Sequence, residues 1–141
     1  MAYRTVSAAL TGALLTILLG SGVSGASPLC GSTEESLVPT TADEETLVSY
    51  FQAVSDGDYP TAWGLLGDYP QSVYGSQRNF ADVMFTHVAC VRVLDAVPLG
   101  GGEYRLVFAD QYTVPFPAGS GSLPLFWTVA DGQIAEFGTG P

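Results

Sequence analysis

Between positions 41 and 87, apolar residues recur every three or four positions, a spacing that predicts amphipathic helices. Thr41 and Glu44 fit the two ends of a capping box, so the first helix is expected to begin there. Glycines that fit helix ends and polar residues that fit helix N-caps divide this region into separate helices. We expect three helices, over 41–57, 58–67 and 76–87, with a turn-rich link over 68–75.

From Val88 onward the apolar positions alternate and β-branched residues become frequent, which predicts strands. Asp131-Gly132 is a strong hairpin signal. Helices followed by a run of antiparallel strands predict an α+β fold, with a sheet packed on three N-terminal helices. The strands are expected over 88–97, 103–114, 123–130 and 134–137, with turns or loops at 100–102, 115–122 and 131–132.

The second predicted strand has two unlike faces. If the strand is regular, alternate side chains point to opposite sides of the sheet. The apolar face carries Tyr104, Leu106, Phe108, Tyr112 and Val114, and the polar face carries Glu103, Arg105, Gln111 and Thr113.

The first 26 residues have the order of a secretory signal: Arg4, an apolar stretch over 8–19, and small residues up to Ala26. The apolar stretch is shorter than the roughly 20 residues that span a bilayer. We therefore expect a secreted or extracytoplasmic protein, cleaved near Ala26, with no membrane span in the mature chain. The alternative is an uncleaved N-terminal membrane anchor. Residues 27–40 are expected to be a flexible segment, and 41–141 a single domain.

The two cysteines, Cys30 and Cys90, lie in the mature part of the chain. In an exported protein such a pair is most simply a disulfide, and the alternative is two free thiols.

The formal net charge of −10 comes from fourteen acidic residues against four cations. Such a chain is repelled by phosphate backbones and anionic lipid surfaces, so nucleic acid is excluded as a partner.

Several segments carry a resemblance to a known family. They are residues 47–54 in the first helix, 56–63 with Leu65 and Leu66 around the second, 74–76 with Phe80 at the third, and 127–134 at the last hairpin. In these the chain resembles the nuclear transport factor two-like superfamily, and most of all its small exported bacterial members. The resemblance implies a cone-shaped, curved antiparallel sheet around a long helix, with a pocket at the wide end.

Members of this superfamily include isomerases, cyclases and dehydratases, and others only bind a protein or support a larger assembly. Catalytic members usually have a β-hairpin between the second and third helices. The link over 68–75 is too short for a full hairpin. No catalytic constellation of the family maps onto this chain, so none is carried over.

Three residues are weak catalytic candidates: Asp110, His87 and Tyr50. Asp110 would share a face with aromatic residues and could act as a general base or acid. The alternative is a β-bulge near 109–111 that turns its side chain to water. His87 would need a carboxylate partner, Asp82 or Asp110, and is otherwise structural.

The aromatic residues allow two interpretations. They could line a pocket for a flat apolar ligand, or they could form an ordinary core. The pocket interpretation names Tyr50, Trp63, Tyr104, Phe108, Tyr112 and Trp127. No metal site or cofactor is expected, because one histidine and a paired set of cysteines leave few ligands.

These observations favour a non-enzymatic binding or accessory protein, whose partner is a small hydrophobic ligand or a protein of the cell envelope. One alternative is an isomerase, cyclase or dehydratase that uses Asp110 on a small hydrophobic carbonyl compound. Another is a structural subunit of an envelope complex. A homodimer through the sheet face is a further expectation.

Overall fold

In the computed structural model, the described residues are 30, 33–113 and 123–138. Within these ranges four helices precede four strands, so the α+β class is confirmed, with one helix more than the three that the sequence predicted there. The helices are α1 (Ala42–Asp56), α2 (Tyr59–Gly64), α3 (Asp68–Tyr74) and α4 (Gln77–His87). The strands are β1 (Val88–Gly100), β2 (Glu103–Tyr112), β3 (Phe126–Ala130) and β4 (Gln133–Gly138).

The predicted start of α1 is confirmed. The Thr41 hydroxyl accepts a hydrogen bond from the Glu44 amide at 3.2 Å. The Glu44 carboxylate accepts from the amide and the hydroxyl of Thr40, at 2.7 and 2.9 Å. These two bonds lower the pKa of Glu44, the amide bond having the larger effect. Gly57 ends the helix in the left-handed conformation.

Side-chain caps also begin α2 and α4. The carboxylate of Asp58 accepts from the Thr61 amide at 3.3 Å. The Ser76 hydroxyl accepts from the Asn79 amide at 3.1 Å. Both caps satisfy amides that have no partner inside their helix.

The turn-rich link expected over 68–75 is instead α3, and this prediction is wrong. Pro70 lies in the first turn, where a missing amide hydrogen breaks no helical bond. The Gln71 side-chain amide donates to the carbonyls of Trp63 and Leu66, each at 3.1 Å. Trp63 lies in α2 and Leu66 follows that helix, so both contacts join α3 to an earlier part of the chain. This tertiary packing stabilises a helix that is too short to be stable alone.

The sheet is antiparallel in the order β1-β2-β3-β4. Strand β1 runs to Gly100, three residues beyond its predicted end, and carries all three irregularities of its pairing with β2. Ala89, Leu94 and Leu99 are the residues without an opposite partner there. Such bulges bend a strand and increase its twist.

Strand β3 begins at Phe126 rather than at the predicted Leu123. Leu123 is buried, and its amide donates to the side-chain hydroxyl of Tyr112 at 3.1 Å instead of to the backbone of a neighbouring strand. Within β2 the predicted alternation is confirmed for Tyr104 and Leu106, which are buried, and Arg105, which is exposed. Val114 and the predicted loop at 115–122 lie outside the described residues.

The main core lies between the helices and one face of the sheet, which we call the inner face. A second, smaller cluster contains Ala109 and the disulfide between Cys30 and Cys90, which confirms the predicted pairing. Near this disulfide the Leu37 amide donates to the Val93 carbonyl of β1 at 2.9 Å. Part of the segment before α1 is therefore bound to the edge of the sheet.

None of the helices within 33–113 and 123–138 is long and apolar enough to cross a membrane. The predicted signal, its cleavage site and the alternative anchor lie outside the described residues. A disulfide fits an extracytoplasmic protein, because such environments are oxidising.

Gly102 of the β1–β2 turn is expected to tolerate no side chain. Its φ is +82°, and an added Cβ would lie 2.4 Å from the Val129 carbonyl oxygen. Gly102→Ala should lower the free energy of unfolding by at least about 2 kcal/mol, measured by urea denaturation. The matched control is Gly101→Ala, where φ is +63° and a Cβ meets nothing within 4 Å. Equal losses for the two variants would contradict the close approach.

Candidate functional site

The residues predicted to line a pocket lie in or beside the main core. Tyr50, Tyr104 and Trp127 are buried, with 1%, 7% and 2% of their surface exposed. Trp63, Phe108 and Tyr112 are half-buried at its border.

Aromatic rings fill the space between α1 and the sheet. The Trp127 ring lies 5.7 Å from that of Tyr50, 4.9 Å from that of Phe51 and 5.2 Å from that of Phe137, between centroids. The Phe51 ring is also 4.9 Å from that of Phe108. These are packing distances of neighbouring aromatic side chains.

Tyr50 is the most enclosed of the three catalytic candidates. Burial raises the pKa of its hydroxyl well above the usual value, and the neighbouring Tyr74 adds to the rise. The hydroxyl therefore stays protonated at neutral pH and is no base there.

Asp110 lies on the inner face, in register with the buried Val91 of β1. The bulge expected near 109–111 of β2 is found in the facing strand, where Ala89 is the extra residue. The position of Asp110 in β2 is therefore regular, yet its side chain is exposed. It accepts a hydrogen bond of 2.6 Å from the hydroxyl of Tyr112.

Tyr112 completes this pair. Burial and, second, the hydrogen bond to Asp110 raise its pKa to about 12. The pair thus combines a carboxylate with a hydroxyl that remains a donor at neutral pH. Sequence reasoning placed both residues on one face but did not predict their contact.

His87 ends α4, and its carbonyl accepts a hydrogen bond from the Thr113 amide at 2.9 Å. Thr113 directly follows Tyr112, so the backbone of His87 lies beside the end of β2. Asp82, its other predicted partner, is exposed on α4. Throughout the described ranges, no group of three or more His, Cys, Asp or Glu residues could hold a metal ion.

Two of the clefts on the surface of the described residues are large enough to hold a ligand. The helix-end cleft, of about 820 Å³, lies between the end of α1, α4 and the start of β1. The exposed ring of Phe85 and the carboxylate of Asp56 line it.

The outer cleft, of about 540 Å³, lies where α3 meets β2, β3 and β4. Its lining residues include Tyr69, Glu103, Phe126, Thr128, Glu136 and Gly138. None of these is a site residue predicted from the sequence, and only Glu103 was placed there, on the polar face of the second strand. The alternation at 126–130 could have placed Phe126 and Thr128 together on the face opposite Trp127.

The chain matches no protein-family model and no curated protein sequence.

Proposed function

We propose that this chain is an exported, non-enzymatic binding or accessory protein that meets its partner through surface clefts. The observation that carries the proposal is the aromatic packing around Trp127, which occupies the interior between α1 and the sheet. A ligand then finds room at the surface, where the helix-end and outer clefts lie.

Export is supported by the signal-like first 26 residues and by the Cys30–Cys90 disulfide. Signal-bearing chains reach oxidising compartments, in which such disulfides persist. An envelope protein is accordingly the kind of partner that the chain would meet.

We also propose that the fold is a member of the nuclear transport factor two-like superfamily, with a cone-shaped sheet. The element order and the three bulges of β1, which bend the strand and increase its twist, support this. Helix α3 stands where catalytic members have their hairpin. That substitution favours the members that bind over those that catalyse.

The pair of Asp110 and Tyr112 supports a second candidate, an enzyme acting on a small hydrophobic carbonyl compound. Asp110 would take a proton from the carbon beside the carbonyl, and the Tyr112 hydroxyl would donate a hydrogen bond to the enolate oxygen. Catalytic carboxylates of this type are usually sheltered from water. The exposed side chain of Asp110 makes this candidate the weaker one.

One experiment separates the two candidates. The exported protein is mixed with 1-indanone, a flat apolar ketone, in deuterium oxide, and followed by NMR. We expect no shift of the ring signals of Tyr50 and Trp127, and no deuterium entering the ketone beyond the uncatalysed rate. Both results follow from a filled interior and an unsheltered carboxylate.

The control variant is Asp110→Asn, which keeps the shape of the side chain and removes the base. Deuterium incorporation by the native protein that this variant abolishes would establish the enzyme instead. Shifts of the Trp127 ring signals on adding the ketone would mean that the interior opens to ligands, against the surface-binding proposal.

A further inference from the structure

The floor of the outer cleft is a small array of side chains on the outer face of the sheet, opposite the core. Thr128 of β3 lies between two carboxylates, because it pairs with Glu103 of β2 and with Glu136 of β4. The next rung holds Arg105, Phe126 and Gly138 in the same strand order, and of these three Phe126 and Gly138 line the cleft. Two strand spacings, about 9–10 Å between backbones, separate the acidic residues.

Gly138 creates the hollow beside Phe126. It faces the ring from the edge strand and has no side chain of its own. A Cβ added at Gly138 would meet nothing within 4 Å, so open space extends above this position. Tyr69 of α3, which is 55% exposed, adds a second aromatic wall.

No salt bridge joins Glu103 or Glu136 to another side chain within the described part of the chain. Arg105, the nearest cation along the strand, is exposed and does not line the cleft. With a formal net charge of −10, the chain as a whole attracts cations.

We infer that the outer cleft binds an arginine side chain from a basic segment of a partner protein. The inference rests on the proposed binding function and names the chemistry of the partner. The guanidinium group would lie over Thr128 between Glu103 and Glu136, with its plane against the ring of Phe126. The cleft volume is within the roughly 300–1,000 Å³ of protein ligand sites, which leaves room for the residues beside the arginine.

Arginine fits these walls better than the other common cations. Its flat guanidinium stacks on aromatic faces and pairs with carboxylates through several N–H groups. The ammonium of lysine is a strongly hydrated point charge that gains less from an aromatic wall. A divalent metal would ask for more oxygen ligands than two separated carboxylates provide.

The test is an NMR titration of the isotope-labelled exported protein with a capped glycine–arginine–glycine tripeptide at low salt. We expect millimolar binding that shifts the amide signals of Phe126, Thr128 and Gly138. The same tripeptide with citrulline, which is neutral and nearly the same shape, should shift none of them. Binding should weaken as salt is added, because the charges are at the surface.

Two variants test the site itself. Glu103→Gln with Glu136→Gln should weaken binding about tenfold, whereas the charge-matched pair Glu35→Gln with Glu45→Gln should change it less than about twofold. Gly138→Leu should abolish binding by filling the hollow while leaving the unfolding transition in place.

Three results would overturn the inference: equal binding of the citrulline peptide, equal weakening by the two charge-matched pairs, or equal affinity for methylguanidine alone. Equal affinity for methylguanidine would mean that the cleft binds a small organic cation rather than an arginine of a protein segment. Each of these leaves the ketone result unchanged, since that experiment reports on the interior and on Asp110. Failure of the cleft is thus distinguishable from failure of the binding function.

Discussion

Replacing Trp127 with alanine is expected to lower the free energy of unfolding by about 3–5 kcal/mol, measured by urea denaturation. The indole is 2% exposed and touches the rings of Tyr50, Phe51 and Phe137, so its removal leaves a large cavity. Its Nε1 also donates to the Pro124 carbonyl at 2.6 Å, and that acceptor would lose its partner. A domain of ordinary stability would lose much of its margin.

Trp63→Ala is the matched control for this prediction. The Trp63 side chain is half-buried at the border of the core, with its ring 5.8 Å from that of Phe80. The same truncation there should cost clearly less, because water can occupy part of the space that it vacates. A Trp127→Ala loss no greater than that of Trp63→Ala would show that the interior is loosely filled.

Replacing both cysteines with serine is expected to cost about 2–5 kcal/mol, the usual range for a native disulfide. The Cys30–Cys90 bridge spans 60 residues, so its loss frees a long loop in the unfolded chain. In the folded chain, the segment that places the Leu37 amide on Val93 loses its anchor at residue 30. The measurement is the urea midpoint of the native protein and the variant, each with and without reductant.

The reductant supplies the control. It should lower the midpoint of the native protein to that of the double variant and leave the variant itself unchanged. The intact mass of the native protein should rise by two hydrogen atoms on reduction. The stabilising role would be contradicted if the mass showed that the disulfide was reduced and the urea midpoint of the native protein did not change.

Local chemistry explains which parts of the fold the sequence could predict. Thr41, Asp58 and Ser76 each cap a helix where the sequence placed one, because a cap needs only residues within the same turn. Helix α3 was missed because it depends on Gln71 bonding to carbonyls outside the helix, a contact set by tertiary packing. Strand β3 begins later than predicted for a similar reason, since the Leu123 amide donates to the Tyr112 hydroxyl.

The surface sites were harder to predict because they depend on strand register. Alternation along β3 indicates that Phe126 and Thr128 share a face. It does not indicate that Glu103 and Glu136 flank Thr128, since each pairing depends on the bulges and turns between the strands. The residues opposite Asp110 could not be predicted for the same reason, because the bulge that sets their register lies in β1.

The central claim is that packed aromatic rings fill the interior between α1 and the sheet. NMR distance measurements between aromatic protons of the protein test it most directly. We expect strong contacts from the Trp127 ring to those of Tyr50, Phe51 and Phe137, which lie 4.9–5.7 Å away between centroids. Absence of these contacts, with water signals reaching the Trp127 ring, would contradict a filled interior.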